Sequence, residues 1–176
     1  LSGIICPGHV ATVMGEEYFY FIFDEFNIPS VICGFDVLDI ISGIYLIMKM
    51  VNGEQVIEHN NIYKKWVYPQ GNLRAKALLK EVFNTKRGLW RGIGYIEDSE
   101  LTLNEKYQKY DAAVKFELTD IIQNTNSACD CSHILLGDKA PLDCELFGKI
   151  CNPNNPKGPC MVSSEGTCAI YYKYRR

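Results

Sequence analysis

The sequence lacks the features that mark membrane-spanning and secreted proteins. Its most apolar run, residues 37–50, is interrupted by Asp39, Gly43 and Lys49, so it is too short and too polar to span a bilayer. Residues 1–6 contain no charged region followed by a long apolar region, so no secretory signal peptide is visible. We therefore expect a protein that does not associate with membranes.

An excess of charge is also absent. The chain has 18 Lys and Arg against 21 Asp and Glu, a net charge of −3 spread along its length. No basic stripe indicates nucleic-acid binding, and no acidic tail indicates disorder. The sequence also contains no internal repeat and no low-complexity tract. With 176 residues, of which 47% are hydrophobic, it is long enough for one domain and a small appended module.

The first two thirds of the sequence alternate between strand-like and helix-like segments. Short apolar runs predict strands at 2–5, 29–33, 55–58 and 89–96, and helical periodicity predicts helices at about 9–26, 36–50 and 72–83. This alternation predicts an α/β fold with a Rossmann-like parallel sheet flanked by helices. Because the sequence begins without Met, inside a predicted strand, we expect it to be the later part of a longer chain.

The pattern breaks at the polar, turn-rich residues 123–127. We therefore predict an α/β domain over residues 1–122, incomplete at its start, and a small irregular cysteine-rich domain over residues 123–176. Apolar periodicity is lost in the second segment, so burial alone does not explain how it folds. Metal binding is a common way to stabilise such a short, loop-rich segment.

Cysteine is concentrated in this second segment, which holds six of the eight in the chain: Cys129, Cys131, Cys144, Cys151, Cys160 and Cys168. Without a secretory signal, clustered cysteines favour a reducing, cytoplasmic location and a metal or redox role. Zinc modules usually present paired C-x₂₋₄-C ligands, and here the nearest pair has one intervening residue. Iron–sulfur clusters accept wider spacing. The spacing favours a cluster but leaves zinc, disulfides and unbound thiols open.

The residues around these cysteines resemble a known family. Residues 144–151 (CELFGKIC) and 158–169 (GPCMVSSEGTCA) resemble the C-terminal signature of the HypD family. Further elements similar to those of the family follow in the same order upstream: PGHVATVMG at 7–15, GFDVLDI at 34–40, NIY at 61–63, GN at 71–72 and WRGIG at 90–94. The resemblance covers nearly the whole chain.

The resemblance implies a role in assembling the Fe(CN)₂CO group of [NiFe]-hydrogenases. HypD proteins act in this assembly as scaffolds with a redox role rather than as turnover enzymes, and their partners are a HypC-type chaperone and a HypE-type cyanide donor. The family's CGTHE element, which is associated with iron binding, and its GPGCPVC element do not occur in this sequence. The resemblance therefore implies the C-terminal half of a HypD, which keeps the electron-relay end and lacks the iron-assembly end.

The resemblance also implies a [4Fe–4S] cluster. The family's ligand spacing, C-x₁₂-C-x₆-C-x₁₆-C, falls here on Cys131, Cys144, Cys151 and Cys168. Cys129 and Cys160 then lie outside the ligand set, either as buried small hydrophobic residues or as a redox-active pair near the cluster. His133 stands where the family usually has Glu, and it could donate a hydrogen bond to a cluster sulfur or compete as a ligand.

Two upstream residues are candidates for a catalytic role in a cleft. His9 lies where a strand passes through a Pro-Gly turn into a helix, a position that favours neutral imidazole. Asp39 matches the family's GFEPLD element, and its alternative role is a first-turn acid favoured by the helix dipole.

The remaining candidates have simpler structural explanations. Asp36 is a plausible helix N-cap. Asn61, Tyr63 and Asn72 could form hydrogen bonds in the cleft or simply form turns, and Arg91 could contact a partner protein or be an ordinary surface charge. Cys6 and Cys33 follow strand ends and are expected to be packed thiols rather than ligands.

Two other functions remain open beside a maturation role. The first is an iron–sulfur thiol/disulfide oxidoreductase, although the Cys-x-x-Cys that such an enzyme needs is absent. The second is an α/β binding module stabilised by zinc. Metal and sulfide analysis separates the zinc-stabilised module from the two iron–sulfur functions.

Overall fold

The fold divides along the chain into two units, Leu1–Phe83 and Asn84–Arg176. It was obtained as a computed structural model, and the structure describes residues 1–56, 58–90, 92–118 and 128–175. The domain boundary predicted between residues 122 and 123 lies outside the described residues. Among those described, no helix combines the length and apolar character needed to cross a bilayer.

A three-stranded parallel sheet forms the centre of the first unit. Strands β1 (Ile4–Pro7), β2 (Ser30–Cys33) and β3 (His59–Asn61) lie in that order, and both neighbouring pairs are parallel. Strand β2 is buried along its whole length, as expected for the central strand of a parallel sheet. The predicted α/β fold with a parallel sheet flanked by helices is thus confirmed, although β3 begins directly after the predicted strand at 55–58.

The two cysteines of the sheet lie on opposite faces. Cys6 pairs with Ile32, and Cys33 is the next residue along β2, so the two thiols point in opposite directions. Cys6 packs in the buried cluster that contains Ala11 and Ile32, whereas Cys33 faces Gly43 of the helix on the other side. Both thiols are buried, and burial raises the pKa of Cys6 to about 11. They pack in the core, as predicted.

The single helix predicted from residue 9 to 26 is wrong. The structure instead has α1 (Gly8–Met14), a 3₁₀ turn (Glu17–Phe19) and α2 (Phe21–Asp24). Helix α1 ends at Gly15, whose φ of +95° is unfavourable for other residues. At this point the chain crosses Gly71 so closely that a Cβ on either glycine would collide with backbone atoms of the other segment.

Helix α3 (Val37–Val51) confirms the predicted helix after Asp36 and covers one face of the sheet. Asp36 occupies the N-cap position, but its side chain makes no capping hydrogen bond. The side of α3 away from the sheet carries an apolar stripe that is about half exposed or more: Val37, Leu38, Ile41, Ile44, Tyr45 and Met48. Helix α4 (Leu73–Val82) closes the unit.

The second unit begins with a strand pair and continues into short helices. Strands β4 (Phe83–Trp90) and β5 (Gly94–Leu103) pair with each other, so the single strand predicted at 89–96 is wrong. The chain turns there because Gly92 and Gly94 both have positive φ. In the part of this unit that the structure describes, the α-helices that follow are α5 (Ala112–Lys115), α6 (Cys131–Leu136), α7 (Pro159–Val162) and α8 (Thr167–Tyr174).

Candidate functional site

Six cysteines converge on one small core in the second unit. Five of them are buried together with Ile134 and Met161, and Cys129 packs against this group. They come from separate elements, since Cys131 begins α6, Cys160 lies in α7 and Cys168 is the second residue of α8. We call this group, Cys129, Cys131, Cys144, Cys151, Cys160 and Cys168, the cysteine core.

Local hydrogen bonds shape the irregular segments that carry the cysteine core. The Asp143 carboxylate accepts a hydrogen bond from the Ala140 N–H at 2.8 Å, just before Cys144. The Asn152 side chain accepts from the N–H groups of Asn154 and Asn155, each at 3.0 Å, just after Cys151. The Asn152 contacts form an Asx-type turn, and the Asp143 contact caps the 3₁₀ turn Pro141–Asp143. Local hydrogen bonds of this kind shape the chain between the short helices.

Two members of the cysteine core form a disulfide. The sulfurs of Cys131 and Cys160 are bonded, and their Cα atoms lie 6.2 Å apart, within the span of such a bond. Cys144, Cys151 and Cys168 are free thiols, and Cys129 is not part of this disulfide. Of the four predicted cluster ligands, Cys131 is therefore engaged with another sulfur, and its role as a ligand stays a prediction.

The four cysteines outside the disulfide lie close enough to influence one another. The pKa of Cys168 is raised to about 11, chiefly by burial and further by the negative charges of Cys151, Cys144 and Cys129. Sulfurs that repel one another as thiolates are mutually stabilised when they share a bound cation. The four thiols of the core therefore lie within electrostatic reach of one another.

The space between these sulfurs is small and apolar. The cysteine core, with Ile134, Phe147, Gly158 and Met161, lines a cavity of about 10 Å³, room for about one water molecule. Within the described ranges, no three His, Cys, Asp or Glu side chains stand so that they could hold a single metal ion. Thiolate donors in apolar surroundings fit an iron–sulfur cluster by chemical type, but the sulfurs would have to spread to admit one.

A backbone N–H group just before α7 donates to a sulfur of the core. The Lys157 N–H lies 3.4 Å from Cys151 Sγ. Hydrogen bonds to cluster sulfurs are one of the means by which proteins set a reduction potential. The candidate in the sequence for this role was His133, but its Nδ1 lies 3.4 Å from Asp138 Oδ2, and its side chain is about half exposed.

His9 and Asp39 both lie at the carboxyl end of the parallel sheet. His9 is the second residue of α1, it is exposed, and its ring centroid lies 4.7 Å from that of Phe35. The Asp39 carboxylate lies so close to Gly34 that a Cβ at that position would collide with it. Ligand sites in open α/β sheets usually form at this edge. The catalytic role predicted for His9 and Asp39 stays a prediction.

The other polar candidates of the first unit have structural roles. The Asn61 amide donates to Glu16 Oε2 at 2.8 Å and accepts from the Tyr63 N–H at 2.9 Å, and it is buried. The Asn72 side chain caps α4 by accepting from the Ala75 N–H at 3.0 Å. Arg91 lies outside the described residues.

Sequence reasoning missed a polar pair on the sheet. Ser30 Oγ and His59 Nδ1 lie 2.7 Å apart on neighbouring strands, and His59 Nε2 is buried without a hydrogen-bond partner. Burial lowers the pKa of His59, although Glu16 and Asp24 partly oppose the effect. The pairing depends on the register of β2 and β3, and no motif in the sequence marks it.

Comparison with known proteins shows a similarity to one family over nearly the whole chain. Residues 1–175 match the model of the HypD family, described as a hydrogenase formation hypA family. Relatives include a putative hydrogenase expression/formation protein of Methanocaldococcus jannaschii (41% identity) and the hydrogenase maturation factors HypD2 of Bradyrhizobium diazoefficiens (42%) and HypD of Escherichia coli K12 (34%). Each alignment covers all of this chain and 49%, 46% and 47% of the respective relative. The chain spans about half the length of the curated relatives it matches.

Proposed function

The chain belongs to the HypD family, and from this premise we propose that it serves in hydrogenase maturation as the part that carries an iron–sulfur cluster. The proposal includes a [4Fe–4S] cluster in the cysteine core, acting as an electron relay for a scaffold that assembles the Fe(CN)₂CO group of [NiFe]-hydrogenases in the cytoplasm. The observation that carries it is the convergence of six cysteines on one apolar core in a chain whose relatives are named hydrogenase maturation factors.

The same proposal divides the fold into two parts. A Rossmann-like domain over residues 1–122 is supported by the three-stranded parallel sheet with helices on both faces. A separate cluster domain over residues 123–176 is supported by the cysteine core, because all six of its cysteines follow residue 128. The two units of the structure divide earlier, between Phe83 and Asn84.

Three of the proposed cluster ligands are Cys144, Cys151 and Cys168. The fourth ligand is Cys131 by the family's spacing, but the Cys131–Cys160 disulfide favours Cys129 whenever that disulfide is formed. A thiolate cannot serve as an ordinary cluster ligand while its sulfur is bonded to another cysteine. We therefore propose Cys129 as the fourth ligand of the disulfide-bonded form.

A cluster bound there would supply one-electron redox chemistry beside a disulfide. The contribution of the chain itself is to exclude water with Ile134, Phe147 and Met161, and to donate the Lys157 N–H to Cys151 Sγ. Solvent exclusion and hydrogen bonds to sulfur are means by which a protein adjusts the reduction potential of an iron–sulfur centre without ligating the iron.

Anaerobic purification of the chain, followed by iron, sulfide and zinc analysis, tests the cluster. We expect a brown protein with about four irons and four sulfides per chain. A colourless protein with one zinc would instead support a zinc-stabilised module, because four cysteines also make a structural zinc site.

A matched pair of variants identifies the fourth ligand. Cys129→Ser should lose the cluster, whereas Cys131→Ser should retain it and lose only the disulfide. The reverse result would return the assignment to Cys131. Cys144→Ser should abolish the colour, and Cys33→Ser, a buried thiol of the first unit, should leave it unchanged.

The second candidate function is an iron–sulfur thiol/disulfide oxidoreductase, which the Cys131–Cys160 disulfide in the cysteine core favours. Binding separates it from the maturation role. As a maturation component, the chain should co-elute with a purified HypC-type chaperone or HypE-type cyanide donor in gel filtration. A stand-alone oxidoreductase should reduce an added disulfide substrate catalytically and bind neither partner.

A further inference from the structure

Gly158 occupies a position that does not require glycine for its backbone. Its φ of −133° and ψ of 160° are ordinary extended values that any residue adopts. It is buried, and it directly precedes α7, the helix that carries Cys160. The reason for a missing side chain must therefore lie in what surrounds the residue.

The surroundings of Gly158 are two cysteines with different bonding. A Cβ at residue 158 would lie 2.5 Å from Cys129 Sγ, 3.2 Å from Cys131 Cβ and 3.7 Å from Cys131 Sγ. The first distance is far below van der Waals contact, so the sulfur or the backbone would have to shift. Only glycine lets the chain pass against both cysteines while Cys129 Sγ stays in the core.

The segment around Gly158 also touches other members of the cysteine core. One residue earlier, the Lys157 N–H donates to Cys151 Sγ, and two residues later Cys160 is bonded to Cys131. The segment 157–160 thus donates a hydrogen bond to Cys151 Sγ, leaves space for Cys129 Sγ and carries the cysteine that is bonded to Cys131.

We propose that Gly158 is a positioning residue that holds Cys129 and Cys131 in their separate roles. It leaves space for Cys129 Sγ to face the other thiols, while the same segment brings Cys160 to Cys131. This inference rests on the proposed function, in which Cys129 is a cluster ligand. Because Cys129 is only partly buried, the easiest response to a side chain at 158 is rotation of its sulfur toward solvent, out of the ligand set.

A double-mutant cycle on the metal-free chain tests the geometry alone. Gly158→Ala should lower the thermal midpoint of the second unit, read from Trp90 fluorescence in a Trp66→Phe background. Adding Gly158→Ala to Cys129→Ala should cost much less, because the new methyl group fills the space that the sulfur leaves. Equal losses in both backgrounds would show that Gly158 and Cys129 do not interact and would overturn the proposal.

Iron retention in the reconstituted chain tests the ligand role. Gly158→Ala should lose iron to a chelator about 10–100-fold faster than the unaltered chain, if the loss of metal affinity expected on disturbing a residue that orients a ligand is expressed in the release rate. Alkylation under denaturing conditions should still find Cys131 and Cys160 protected as a disulfide. Pro159→Ala, at the exposed neighbouring position, is the matched control and should release iron at the original rate.

The outcomes distinguish this inference from the proposed function. If the unaltered chain binds no iron and sulfide, the cluster proposal fails and the double-mutant cycle alone decides whether Gly158 positions Cys129. If the unaltered chain binds a cluster and Gly158→Ala holds it equally well, the proposed function stands and the role of Gly158 is wrong.

Discussion

Cysteines lie in the cores of both units, but they contribute to them in different ways. In the first unit, Cys6 and Cys33 are small buried side chains on opposite faces of a sheet whose core is built by residues such as Ile32 and Phe19. In the second unit the cysteines are most of the core. We therefore expect the stability of the first core to depend on packing and buried apolar area, and that of the second to depend on the bonds that its sulfurs make.

Each unit contains one of the two tryptophans, so the comparison can be tested separately on each side. Trp66 lies in the first unit and Trp90 in the second. Trp90→Phe leaves fluorescence from the first unit alone, and Trp66→Phe leaves it from the second. The predictions below use these two backgrounds.

The largest expected effect is truncation of the sheet core. Ile32 on the central strand is fully buried, so Ile32→Ala should destabilise the first unit by about 4 kcal/mol through lost burial and the cavity left behind. Urea denaturation followed by Trp66 fluorescence measures this. Ile5→Ala, at a partly exposed position of β1, should cost far less, and an equal loss would mean that the sheet is not the core of this unit.

The next effect should appear only in the second unit. Reducing the Cys131–Cys160 disulfide, or replacing Cys160 with Ala, should destabilise the metal-free form by roughly 3 kcal/mol because the unfolded chain gains freedom. Reductant should lower the urea midpoint read from Trp90 and leave the midpoint read from Trp66 in place. A shift at both tryptophans would remove the distinction between the two cores.

A smaller effect is expected from the polar network of the first unit. Asn61→Ala leaves the Glu16 carboxylate without one donor and the Tyr63 N–H without its acceptor, at a cost of about 1–3 kcal/mol. The Trp66 urea midpoint reports it. The control is Asn60→Ala, because the Asn60 side chain donates to the exposed Glu58 carboxylate and only weakly, at 3.8 Å, to Met50 Sδ. This variant should lower the midpoint less.

The smallest expected effect is on the pH dependence of stability. At acid pH the two units should differ. Burial lowers the pKa of His59, so below about pH 6.5 the unfolded chain takes up a proton that the folded chain does not. The Trp66 midpoint should therefore fall as pH decreases from 7 to 5, and His59→Gln should flatten that slope. An unchanged slope in this variant would assign the acid sensitivity to another group.

At alkaline pH the two units should behave alike. Cys6 and Cys168 both have pKa values raised to about 11, so above about pH 9 their unfolded thiols ionise while the folded ones do not. Stability should be lost in both units as pH rises toward 11.

Local signals in the sequence predicted much of the first unit. The apolar run of β2 and the periodicity of α3 are properties of neighbouring residues, so they were readable without the fold. The break after α1 was not, because Gly15 is required by its close crossing with Gly71, which is distant along the chain. The pairing of β4 with β5 was missed because Gly92 and Gly94 suggested a weakened strand rather than a turn.

The candidate site was predictable as a group of residues but not in its internal bonding. The spacing and flanking residues predicted one site that contains these cysteines, and the structure places all six in or against one core. Which cysteine bonds to which is not encoded in spacing, since any pairing satisfies the same count. The Cys131–Cys160 disulfide, on which the proposed choice of Cys129 over Cys131 rests, and the close approach of Gly158 to both cysteines are revealed only by three-dimensional packing.

The apolar stripe along the outer side of α3 should lower the solubility of the chain. Six large apolar side chains are exposed in one row on this helix, and the small net charge of −3 provides little electrostatic repulsion between copies of the chain. Sulfate salts strengthen apolar association, so the chain should precipitate early in ammonium sulfate. Replacing Leu38 and Ile41 with Lys should raise the salt concentration at which it does so.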